Sequence, residues 1–111
     1  LGFPTANVAI ADEMLMPADG IYAGWLRSDD VEGGRALPSA IYVGSRPTFY
    51  DDRAMVLLEV HVLDFTGDLY GKDVCVQFTH RIRADARFAS AEELAAQLRA
   101  DCDRARQLLA V

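Results

Sequence analysis

Residues 55–65, Met55-Val56-Leu57-Leu58-Glu59-Val60-His61-Val62-Leu63-Asp64-Phe65, form the longest strand candidate in the chain, and their alternation decides the class of fold. Strand side chains alternate with period two, so Val56, Leu58, Val60 and Val62 share one uniformly apolar face. That face is predicted to be core. Met55, Leu57, Glu59, His61, Leu63 and Phe65 share the other face, which sets a carboxylate beside an imidazole in apolar surroundings. Two readings of Glu59 stand. It is either a solvent-facing glutamate on a half-exposed strand, or a general base held on a rigid element. His61 reads as a partly buried histidine with a local hydrogen-bond partner.

Working outward, further strands are predicted on both sides. GIYAGWLR at residues 20–27 is rich in aromatic and β-branched residues and follows the turn signal Pro17-Ala18-Asp19-Gly20. Asp29-Asp30 and Gly33-Gly34 mark a hairpin connection over residues 29–35, and ALPSAIYVG at 36–44 supplies the returning strand. Residues 46–53 read as a loop containing Pro47-Thr48 and Phe49. Thr66-Gly67-Asp68 and Gly71-Lys72 then punctuate the connection to a last strand over 73–83. Trp25 reads as a core residue.

Beyond Arg83 the period changes. Ser90 and Glu93 have capping-box spacing. Leu94, Leu98, Cys102, Ala105 and Leu109 recur at three- and four-residue intervals, a stripe that predicts a helix of about five turns with one face on the sheet. Short strands with hairpin-scale turns, followed by one helix, predict a small antiparallel barrel.

The 111 residues suit one domain with a real core. With 51% hydrophobic and 25% charged residues the profile is that of a soluble globular chain. A net charge of −6 argues against nucleic acid, which is bound through clustered Lys and Arg, but leaves room for one nucleotide whose phosphates a metal ion neutralises. No apolar run approaches a membrane span, and no signal peptide is visible. A start at leucine reads as an excised domain or a processed piece of something longer. Cys75 and Cys102 are expected to be two small buried hydrophobes, not a disulfide. The chain has no Cys-x-x-Cys, and His61 and His80 lie far apart in sequence, which disfavours a metal site of that type.

Three further segments offer chemistry. In Leu1-Gly2-Phe3-Pro4-Thr5-Ala6-Asn7, Pro4 stiffens the backbone and biases Phe3 toward an extended conformation. An extended chain puts Thr5 and Asn7 on the same face, where their oxygens suit Mg²⁺ and bridging phosphates. The other reading is a polar loop before the first strand. Residues 64–72 interleave turn residues with Phe65, Leu69 and Tyr70. They form either a plain connection or a flat apolar surface for a heterocycle. Arg81, Arg83 and Arg87 read mainly as solvated charges, although Arg83 could pin a ring carbonyl or a phosphate.

Taken together, LGFPTAN, GSRPTF (residues 44–49), LEVHVLDF (58–65), GDLYGK (67–72) and RIRADARF (81–88) resemble, in order and spacing, the riboflavin kinases. The helix beginning at Ser90 matches as well. This resemblance implies a mainly β fold: a six-stranded Greek-key β-barrel with a C-terminal α-helix. It also implies ATP-dependent phosphorylation of riboflavin to FMN, with Mg²⁺ accompanying ATP and flavin as substrate and product. In bacteria such a domain is usually the C-terminal half of a cytoplasmic bifunctional enzyme whose N-terminal half adenylylates FMN to FAD. Carried over residue by residue, Thr5 and Asn7 match the ligands of Mg²⁺ and the ATP phosphates. Glu59 matches the proposed catalytic base for the ribityl 5′-hydroxyl, Leu69 and Tyr70 match a region near the nucleotide, and Arg83 and Phe88 match the flavin side.

Members of that family carry a further strand before LGFPTAN, with a Gly/Arg-rich stretch over the phosphates. Residues 1–111 are therefore expected to be a riboflavin kinase-like domain lacking that first strand. Asp85 stands where many relatives have Glu, and Arg46 where Asn is also common. The expected partners are riboflavin, ATP and an N-terminal adenylyltransferase domain, with no nucleic acid and no membrane. A non-catalytic flavin- or nucleotide-binding barrel is the main alternative, followed by a purely structural barrel.

Overall fold

In the computed structural model of the chain, residues 4–8, 16–47 and 54–111 are described. Leu1, Gly2, Phe3, Thr48, Phe49 and the side chain of Arg46 lie outside the described residues. The strands are β1 (Ala6–Asn7), β2 (Gly20–Arg27), β3 (Leu37–Pro47), β4 (Ala54–Val62) and β5 (Cys75–Arg83), followed by the helix α1 (Ala91–Leu109). A 3-10 turn, Glu32–Gly34, sits within the β2–β3 connection.

All neighbouring strands pair antiparallel, in the order β1-β4-β3-β2-β5. A closed six-stranded Greek-key barrel was the expectation. The described residues instead form five strands in an open sheet. β1 contributes only two residues, paired to β4, and β5 pairs only with β2, so no ladder joins the two edges.

The two faces of this sheet bury different things. Leu58, Val60 and Val62 project into a core with Tyr22, Leu26, Leu37, Ile41 and Val43, as the alternation of β4 predicts. Phe78 closes it edge-on against Tyr22, with ring centroids 5.4 Å apart. Val56 departs from its face and is exposed, because β3 and β4 run on to Pro47 and Ala54 while the last β2 pairing is Gly20 with Val43. Gly24 is required where β2 passes β5 at a register shift, since a Cβ there would meet the Gln77 carbonyl oxygen.

On the opposite face Ala23 and Ala40 are cross-strand partners, and their small side chains let α1 come down on the sheet. Cys102 and Ala105 of the helix pack there with Leu63. Trp25 shares the face of Ala23 and is half-buried in neither core cluster, rather than in the core. Cys75 is exposed on the edge strand, so only Cys102 is the buried hydrophobe expected of both; both thiols are free.

The helix begins as the sequence predicts. Ser90 Oγ accepts from the Glu93 amide at 3.1 Å, while the Glu93 carboxylate reaches back to the amide of Ala89, one residue before the cap. It ends at Ala110, whose left-handed conformation (φ 58°) lets its amide bond back to the last turn. No helix among the described residues is long and apolar enough to cross a membrane.

Candidate functional site

The stiff Pro-Thr-Ala-Asn segment is tied down by β4. Ala6 lies opposite Val60 and Asn7 opposite Glu59, and the Val8 amide bonds the Leu58 carbonyl at 2.9 Å. In an antiparallel ladder hydrogen-bonded and non-hydrogen-bonded pairs alternate. Val8 with Leu58 is of the first kind, so Asn7 with Glu59 is of the second, where side chains stand closest. Thr5 and Asn7 therefore share the face of Glu59 and His61, as period two requires. The His61 ring adds a further tie, donating from Nδ1 to the Pro4 carbonyl oxygen at 2.7 Å. His61 thus has a hydrogen-bond partner as expected, though one 57 residues away in sequence.

Beneath that face, between the sheet and α1, lies a cavity of about 440 Å³. Thr5, Glu59 and His61 line one side. Ile21, Ala40 and Leu57 give it an apolar floor, and Leu94 and Leu98 of α1 face them with Phe88. The volume and the mostly apolar lining with few polar groups suit a small organic ligand. Glu59 is half-buried and makes no hydrogen bond or ion pair with the described residues, which leaves its carboxylate open to whatever fills the cavity.

Two further acids line the cavity, Asp85 and Asp101, and Asp101 is 2% exposed on α1. Arg83 grips it with a fork: Nε lies 2.9 Å from Oδ1 and Nη2 lies 2.7 Å from Oδ2. Gln97 Nε2 donates a further bond to Oδ1 at 3.0 Å. Arg83 Nη1 donates to the Ala84 carbonyl, and the guanidinium carbon sits 5.6 Å from the centroid of the Phe88 ring. Nearby, the Tyr42 hydroxyl donates to Asp85 at 2.9 Å. Burial pushes the Cys102 thiol up from its ordinary value, so at neutral pH it stays protonated and packs as a hydrophobe.

The structure thus brings Thr5, Glu59, Arg83 and Phe88 to one cavity and sets Asn7 beside Glu59. Leu69 and Tyr70 are not brought there. Leu69 packs against the core on the opposite face, and Tyr70 is 93% exposed. Sequence reasoning missed Asp101. The signal was an aspartate lodged in the apolar stripe between Leu98 and Cys102, where a charge needs a buried cation. Among the described residues, no group of three or more His, Cys, Asp or Glu could hold a metal ion.

A family model for riboflavin kinase (flavokinase) matches residues 1–109. The chain belongs to the riboflavin kinase family. This riboflavin kinase domain is 42% identical over 110 residues to the bifunctional riboflavin kinase/FMN adenylyltransferase of Pseudomonas fluorescens, covering 99% of the chain and 33% of that protein. With the enzyme of the same description from Escherichia coli K12 it shares 41% over 105 residues, covering 91% of the chain and 30% of the relative. The domain thus spans about a third of the length of the curated relatives it matches. A crystal structure described as a macrolide-efflux protein from Streptococcus pneumoniae superposes with a TM-score of 0.83 at 35% identity. That match covers 95% of the kinase domain and 33% of the other chain, and its description belongs to that protein.

Proposed function

We propose that this domain transfers the γ-phosphate of ATP to the ribityl 5′-hydroxyl of riboflavin, giving FMN. The observation that carries the reading is the Glu59 carboxylate, without a partner among the described residues, in register with Asn7 and open to a largely apolar cavity that Phe88 also lines. Riboflavin has an apolar ring system and a polar chain ending in a hydroxyl. The cavity offers matching surfaces: Phe88, Leu94 and Leu98 for the ring, and Glu59 with Thr5 for the hydroxyl end.

Glu59 would orient the 5′-hydroxyl and take its proton as the oxygen attacks phosphorus. Its place on a paired strand holds it without a lid or loop having to move. Phosphoryl transfer is mostly a matter of positioning, and the His61–Pro4 tie supplies it for the Thr5 side. Thr5 and Asn7 present hard oxygen donors, a pair that fits Mg²⁺ keeping several waters and phosphate oxygens. Mg²⁺ bound with ATP would neutralise phosphate charge, which matters in a chain of net charge −6. Thr5 and Asn7 would hold it. Arg83 is committed to Asp101, so its part is to back the Phe88 ring on the flavin side.

The same reading assigns the segment at Leu69 and Tyr70 to the neighbourhood of the nucleotide, and completes the sheet as a six-stranded Greek-key barrel with a strand ahead of LGFPTAN. It places the domain in a cytoplasmic bifunctional enzyme whose adenylyltransferase part converts FMN to FAD, as the relatives' names and the covered third of their length suggest. The test is to incubate the full-length protein with riboflavin, ATP and Mg²⁺ and to separate the flavins chromatographically. FMN that requires both ATP and the metal is expected. Flavin binding without product would instead make the domain a binding module, and neither binding nor product would leave a structural barrel.

A further inference from the structure

Asp101 carries no charge that a substrate could use, yet it is among the most completely buried side chains in the protein. Each of its carboxylate oxygens is taken by Arg83, and one also by Gln97. The pair spans two elements, since Arg83 ends β5 and Asp101 lies in the middle of α1. Between them in sequence runs the irregular segment 84–90, which brings Asp85, Ala86 and Phe88 to the cavity, Phe88 as its aromatic side chain. Guanidinium groups that bind both a carboxylate fork and an aromatic face are fixed in all directions. With Asp101 holding its edge and Ala84 its third nitrogen, Arg83 presents one flat face, and Phe88 lies against it.

We infer that Asp101 is a positioning residue for the flavin ring: it aims the Arg83 guanidinium, which holds the Phe88 ring in place as one wall of the ring-binding end of the cavity. This rests on the riboflavin reading of that cavity. Asp101 touches no reacting atom and acts only through Arg83. A buried ion pair often contributes little to stability relative to apolar residues of similar size, so its presence beside the ring wall points to positioning.

The test uses the full-length protein and steady-state kinetics with riboflavin and MgATP varied separately. In Asp101→Asn, which keeps the size and the Gln97 contact, KM for riboflavin should rise about tenfold, the scale of one lost aromatic contact. KM for MgATP should stay within about twofold, and kcat at saturating riboflavin likewise, because uniform substrate binding alone is lost. The effect should shrink in a Phe88→Leu background, since contacting residues acting through one another are not additive. If Asp101→Asn does not fold, the paired exchange Arg83→Met with Asp101→Leu removes both charges, and it should fold with the riboflavin KM still raised. An unchanged riboflavin KM in either folded variant, or full additivity with Phe88→Leu, overturns the inference. A parent protein that makes no FMN overturns the riboflavin reading itself, and the inference with it.

Discussion

Glu59 and Asp101 line the same cavity and have opposite surroundings. Glu59 projects from the middle of β4 with no partner among the described residues, opposite Asn7 and beside a segment rich in oxygen donors. Asp101 is buried on α1 and saturated by Arg83 and Gln97. A carboxylate that must take a proton needs its lone pairs free. One that must hold a neighbour needs them all used. The partner list of each side chain separates reagent from scaffold, although both are acids in largely apolar surroundings.

That contrast can be broken from either side. The largest effect is expected for Glu59→Ala in the full-length protein: turnover should drop by about 10²–10⁴, the usual contribution of general-base catalysis, while ATP binding survives. Near-normal turnover would remove Glu59 from the chemistry. Asp101→Ala should behave inversely and cost up to about 3 kcal/mol of stability in thermal or urea unfolding, because it strands the half-buried Arg83 charge. Equal melting of parent and variant would show the pair to be dispensable.

Smaller effects sharpen the comparison. Thr5→Ala should weaken MgATP binding about tenfold through one lost bond to a charged group, read by titrating ATP with and without Mg²⁺. An affinity that does not change would sink the assignment of Thr5. Ser90→Ala should lower stability by about 1 kcal/mol through the lost cap and leave the riboflavin KM alone. Last, because burial raises the Cys102 thiol, a thiol reagent at neutral pH should label the exposed Cys75 well before Cys102, as mass spectrometry of peptides would show. Equal labelling would mean that α1 opens readily from the sheet.

Much of this was legible in the chain. The alternation in residues 55–65 assigned Leu58, Val60 and Val62 to the core and set Glu59 and His61 on the other face, and the structure agrees. Ser90 and the stripe from Leu94 to Leu109 located the helix to within a residue. Side-chain period and capping depend on near neighbours in sequence, so a sequence carries them almost whole. Val56 failed at the edge of the same pattern because exposure there depends on how far β2 extends, which is a property of another strand. Leu69 and Tyr70 read as part of an apolar surface in residues 64–72, but which face of the sheet a connection covers is not a local property.

What the sequence determined by itself was the kind of element at each place, the face on which each strand residue falls, and membership of the riboflavin kinase family through five short motifs in register. What only the tertiary structure decided was who meets whom. The two-residue pairing of β1 with β4 put Asn7 opposite Glu59, and the small Ala23–Ala40 floor let α1 approach closely enough for Asp101 to capture Arg83 across 18 residues of chain. Such contacts are long-range in sequence and arise from the packing of whole elements, whose preferred faces a sequence shows and whose docking it does not.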